Sequence, residues 1–133
     1  MPYQAPIDEY KFLLDHVVGF DQVSNTSRFN ESTQDMVEAI LAEAGRMCQD
    51  VLAPLQRVGD TDPARMENGK VRTSAGFNEG YKAIAEGGWV SMSASPEYGG
   101  MGLPMTITTA VNEMMAGACL SLQLNPLMTQ GQI

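Results

Sequence analysis

From Gly99 to Ile133, a run of thirty-five residues, the only charged side chain is Glu113. Five of the chain's ten methionines, Met101, Met105, Met114, Met115 and Met128, fall in the same run. A segment this neutral has to be covered, because a large contiguous apolar surface marks a partner interface or an aggregation hazard. The stretch Met105 to Leu124 is long enough to cross a bilayer. It carries Asn112, Glu113 and Gln123 together with several hydroxyls, and no basic anchors flank it, so it reads as a buried helix of a soluble protein. The residues before it supply too little helix to cover it on every side. Part of the cover is therefore expected from protein outside this chain.

The remaining 98 positions carry the other charges. Eight Lys and Arg against sixteen Asp and Glu give a formal net charge of −8. That argues against nucleic acid or an anionic membrane as partner, since both require a basic face. With 44% hydrophobic and 18% charged residues, the 133-residue chain has the composition of one soluble globular domain. Cys48 and Cys119 lie far apart among apolar neighbours, which fits reduced thiols and a cytoplasmic location better than a disulfide framework. The first residues, Met1 to Glu9, lack the basic and apolar regions of a signal or transit peptide.

Four helical segments can be read, and the fold class is all-α. The first runs from about Pro6 to Val18, with Ile7, Tyr10, Leu14, Val17 and Val18 as its apolar stripe and Gly19 as its stop. The second is capped by Ser32 or Thr33, carries Met36, Val37, Ile40, Leu41, Ala44, Met47, Cys48, Val51 and Leu52 inward, and ends at Pro54. Asn68-Gly69 suits a tight turn, so Met66 to Arg72 is either a small hairpin or plain loop. Ser74 caps a third helix with Phe77, Tyr81, Ile84 and Ala85 on its apolar face, ended by Gly87-Gly88. Pro104 opens the fourth, which is apolar nearly all round, reaches about Leu122 and is broken at Asn125-Pro126.

No catalytic constellation emerges from these residues. Gly99-Gly100-Met101-Gly102 lacks both the third glycine of a dinucleotide fingerprint and the lysine of a phosphate loop, so it reads as a tight turn. Glu113 in apolar surroundings has the character of a shifted acid or base, but no nucleophile or second carboxylate lies within a helical turn. His16 is the only histidine and sits beside Asp15 on a helix. One histidine and two distant cysteines offer no zinc spacing, so no metal is expected. Trp89 reads as a core anchor under the glycine loop.

Gly87-Gly88-Trp89, followed by Pro96-Glu97-Tyr98-Gly99-Gly100-Met101-Gly102-Leu103-Pro104 and then an apolar helix with an acidic residue at Glu113, resembles the N-terminal helical domain of the acyl-CoA dehydrogenase family. The likeness covers about Thr33 to Ile133. Residues 1–32 form an N-terminal extension with one extra helix, similar to that of a longer bacterial subgroup.

The resemblance implies an FAD enzyme that desaturates an acyl-CoA thioester between its α and β carbons. Electron-transferring flavoprotein is the implied acceptor and a homo-oligomer the implied assembly. In that family a middle β-domain and a C-terminal helical domain hold the flavin and the catalytic glutamate. Neither lies within this chain, so no catalytic residue is assigned here, and flavin binding by the chain alone is not expected. The N-terminal domain walls the acyl end of the pocket, which makes Leu122, Gln123, Pro126, Leu127, Met128 and Gln130 the candidate substrate contacts. The competing reading is a stand-alone helical interaction module using the same apolar surface.

Overall fold

The computed structural model describes residues 2–132; Met1 and Ile133, the two ends named in the sequence reading, lie outside it. The chain is helical apart from one small hairpin, as composition and periodicity predict. An extended strap, Pro2 to Pro6, precedes helix α1 (Ile7–Phe12), which continues without a break into a wide π-helical turn, Leu13–Val18. That wider winding moves the apolar stripe out of helical register. Tyr10 and Leu14 are buried, whereas Val17 and Val18 face solvent instead of sharing the stripe expected of them. Past Gly19 a short helix, α2 (Phe20–Ser24), drops Phe20 into the core.

Helix α3 (Gln34–Met47) starts at Thr33, whose hydroxyl accepts from the backbone N–H of Met36. Pro54 does not end it. A second π-helical turn, Cys48–Leu52, passes the chain on to α4 (Ala53–Thr61), with Pro54 in the first turn of α4. Proline has no N–H and its ring clashes with the carbonyl one α-turn back. The widened turn just before it relieves that clash, so the chain bends and continues.

Strands β1 (Arg65–Glu67) and β2 (Lys70–Arg72) pair antiparallel around Asn68-Gly69, both with positive φ. These are the angles a two-residue hairpin turn demands, and they decide between hairpin and plain loop. Helix α5 (Phe77–Glu86) begins at Gly76 rather than Ser74. Ser74 is buried, and its carbonyl, not its hydroxyl, takes the N–H of Phe77.

The neutral segment forms α6 (Met105–Gln130), entered from Pro104, and it is two helices rather than one. Cys119 has φ −157 and ψ 86, far from helical values. The side chain of Asn112 bonds that of Gln130 at 2.8 Å. In a straight helix eighteen residues span about 27 Å, so the chain doubles back at Cys119. Asn125-Pro126 is not the break: Pro126 is buried inside the second arm.

The first arm is the central element. Ile107, Val111, Met114 and Met115 are fully buried against Leu41, Cys48, Leu52, Ile84 and Met92. Its cover is incomplete along a single line, where Met105, Thr109, Glu113 and Gly117, four residues apart, are exposed. Tyr3 lies over part of that line, and its hydroxyl donates to the carbonyl of Met114 at 3.0 Å. No described helix is long and apolar enough to cross a membrane.

Candidate functional site

The second arm of α6 carries all six sequence-predicted contact residues, and helical periodicity divides them between its two faces. Leu122, Gln123 and Pro126 turn inward and are buried. Leu122 lies close against Gly80 of α5, where an added Cβ would stand 2.7 Å from a Leu122 methyl. Leu127 and Met128 turn outward, 41% and 68% exposed. Leu120 and Leu124, which the sequence reading left out, share that outer face at 51% and 50%. Leu120, Leu124, Leu127 and Met128 follow the i, i+4, i+7, i+8 spacing of one helical stripe. An arm that is apolar inside and outside hides this stripe from a hydrophobicity reading, because nothing polar marks where the core face ends.

The inner polar groups form a relay. Gln123 Nε2 donates to Asn112 Oδ1 at 3.3 Å, Asn112 Nδ2 donates to Gln130 Oε1, and Gln130 Nε2 donates to the carbonyl of Trp89 at 2.9 Å. Gln123 is 1% exposed, and its Oε1 has no hydrogen-bond partner among the described residues. Sequence alone could not reveal the relay, since its members lie 11, 18 and 41 positions apart.

Trp89 is buried, with its indole against Gly87, and the glycine loop is a closed turn of its own. The N–H groups of Gly99, Gly100, Met101 and Gly102 donate to the carbonyls of Pro96, Ser95, Ser91 and Ala94 respectively. Every amide that could form an anion nest is therefore spent on the loop itself. At Gly100 an added Cβ would stand 2.1 Å from the carbonyl oxygen of Ala94, so that glycine is dictated by close backbone packing.

The remaining candidates separate from one another. Glu113 is exposed rather than enclosed by apolar side chains, because it falls on the uncovered line of the first arm. His16 is exposed and meets the Phe12 ring edge-on at 4.9 Å. Cys48 and Cys119 are buried and unbridged. Burial pushes the Cys48 thiol up to about 12, the behaviour of an inert core thiol. Among the described residues no cluster of His, Cys, Asp or Glu could hold a metal ion.

An open pocket of about 590 Å³ lies away from the second arm's inner face, between the strap and α4, lined by Tyr3, Gln49, Pro54, Gln56, Arg57 and Asp60 among others. Its one cation, Arg57, is on the surface and pairs with Asp60 at 3.3 Å.

Known proteins supply the remaining comparison. The chain is 39% identical over all 133 residues to the 3-methylmercaptopropionyl-CoA dehydrogenase of Ruegeria pomeroyi, covering 23% of that protein. It is 25% identical over 118 residues, 87% of its own length, to the broad-specificity linear acyl-CoA dehydrogenase FadE5 of Mycobacterium tuberculosis, covering 19% of it. The chain thus spans about a fifth of the length of these relatives. Residues 34–133 match the model of the acyl-CoA dehydrogenase N-terminal domain. The apolar arm, the buried Trp89, the closed glycine loop and this match agree with one another, and the chain belongs to the acyl-CoA dehydrogenase family through its N-terminal helical domain.

Proposed function

We propose that the chain is the N-terminal part of an FAD-dependent acyl-CoA dehydrogenase that desaturates an acyl-CoA thioester between its α and β carbons. Residues 1–32 are an extension ahead of a family domain from 33 to 133. The observation that carries this reading is the bare stripe on the second arm of α6, in a chain whose first arm is otherwise well enclosed. A stripe of that kind in this family belongs against the rest of the same enzyme and its acyl-CoA. The candidate contacts remain Leu122, Gln123, Pro126, Leu127, Met128 and Gln130, with Leu127 and Met128 at the surface and the two amides behind them. The relative named for 3-methylmercaptopropionyl-CoA makes that thioester the candidate substrate.

When bound, FAD supplies the hydride acceptor. The glycine loop here is unsuited to hold it, having no free amide to offer a pyrophosphate. In this reading flavin and catalytic base belong to the family's other domains, as the family resemblance implies, and the chain alone is proposed to be inactive. Electron-transferring flavoprotein is the proposed acceptor, and a homo-oligomer the proposed assembly.

In the full-length enzyme, Gln123→Ala and Met128→Trp are expected to change acyl-chain preference more than flavin content. An unchanged kcat/KM for every chain length in both variants would remove the pocket assignment. For the chain itself, visible absorbance after incubation with FAD and desalting is expected to show no flavin band. A stoichiometric band would place the flavin site in these helices.

The second reading, a stand-alone interaction module, draws on the same stripe and on a further exposed apolar group, Phe12, Leu13, Val17 and Val18. A stable oligomer of fixed size at all concentrations in size-exclusion chromatography would favour it.

A further inference from the structure

The proposed acyl contacts are only as well placed as the arm that carries them, and hydrophobic burial alone does not place that arm. Leu122 and Pro126 are apolar on one face, while Leu120, Leu124 and Leu127 are equally apolar on the other. The hydrophobic effect is non-directional, so burying either stripe against the rest of the chain, α5 included, gains a similar amount. Something polar must choose between the two rotations.

We propose that Asn112 makes that choice: it is a positioning residue whose amide grips Gln123 and Gln130 and so fixes which face of the second arm is presented to the acyl group. The proposal rests on reading the second arm as pocket wall. Gln123 and Gln130 are seven residues apart, two helical turns, and so lie on one face of the arm about 10 Å apart along its axis. Asn112, on the first arm, bonds both, and the far amide of Gln130 is tied to the Trp89 carbonyl. Rotating the arm to bury Leu120 and Leu124 would break these bonds together, turn Gln123 and Gln130 out to solvent, and leave the Asn112 amide and the Trp89 carbonyl against apolar side chains, where an unmet polar group is costly.

The test uses the full-length enzyme with Asn112→Leu, which keeps the branched shape of the side chain without its hydrogen-bonding groups, and Gln130→Met, which cuts the relay near the end of the arm. Asn112→Asp keeps the acceptor for Gln123 and serves as the conservative control. Amide hydrogen exchange is followed across both arms of α6, and kcat/KM across acyl-CoA thioesters of increasing chain length.

The expected result is exchange about tenfold faster in residues 120–130 with residues 105–118 unchanged, and a shift of about tenfold in the ratio of kcat/KM between long and short chains, the loss of roughly one net hydrogen bond. Asn112→Asp should fall between wild type and Asn112→Leu. Unchanged exchange in both Asn112→Leu and Gln130→Met overturns the positioning role whatever the substrate is. Equal acceleration in both arms overturns it too, because that is general destabilisation. Faster exchange confined to the second arm with unchanged selectivity overturns the pocket-wall reading. If Gln123→Ala and Met128→Trp shift selectivity while the Asn112 variants shift neither readout, the pocket reading stands and the role of Asn112 falls.

Discussion

At the scale of single residues, the same amino acid is required for different reasons at different places. Gly69 sits in an open turn with φ 75 and nothing within 4 Å of an added Cβ. Gly69→Ala should therefore cost only the left-handed conformation, about 1–2 kcal/mol, and loosen mainly the hairpin. Gly100→Ala meets the Ala94 backbone, so the loop itself must move, and urea unfolding should show a loss of about 2–3 kcal/mol. Equal losses would mean the glycine loop is less tightly closed than its hydrogen bonds indicate. Ionisable groups give a second prediction. Burial, with Cys48, Tyr10 and Glu113 adding to it, raises Tyr3 from 10 to about 12; burial, with Glu113, Cys48 and Glu9 adding to it, raises Tyr10 likewise. Burial alone raises Cys48 from 9 to about 12. Across that alkaline window the unfolded chain has released protons that the folded chain still holds, so stability is fully present below pH 9 and falls as pH rises toward 12. The urea midpoint should drop over this range, and Tyr3→Phe with Tyr10→Phe should flatten the drop.

At the scale of elements, local signals were legible and long-range ones were not. Thr33 opens α3 as the capping rule requires, and Thr33→Ala should cost about 1 kcal/mol in denaturant unfolding. The start of α6 after Pro104 and the hairpin at Asn68-Gly69 follow from equally local chemistry. The element ends were harder to read. Pro54 signals a stop, yet a π-helical turn absorbs it; Asn125-Pro126 signals a break, yet the reversal falls six residues earlier at Cys119, which carries no turn residue of its own. The candidate site was legible only in part for the same reason. Its place after the apolar helix comes from the family resemblance. Its division into inner and outer faces depends on where the chain doubles back, and the link from Asn112 to Gln123 and Gln130 exists only once it has.

At the scale of the whole molecule, the distribution of apolar surface matters most. The core is well made around the first arm of α6, while Leu120, Leu124, Leu127 and Met128 remain outside it. The separate chain in solution should therefore self-associate, with light scattering rising with concentration. Leu124→Lys with Met128→Lys should suppress that association without changing the unfolding free energy by more than about 0.5 kcal/mol, since both side chains are outside the core. Association that survives the double substitution would move the sticky surface elsewhere, with Phe12, Leu13, Val17 and Val18 the next group to alter.

The strap carries a consequence for how the chain is made. The Tyr3 hydroxyl bonds to the Met114 carbonyl across 111 positions, and the Ala5 N–H to Gln49 across 44. On a ribosome, at about 5–20 residues per second, Tyr3 emerges several seconds before the backbone it is to grip has been synthesised. The strap is thus made early and docks late. Until Met114 has been made, Tyr3 remains undocked and open to nascent-chain chaperones and proteases, and its docking marks the completion of the central helix rather than the beginning of folding.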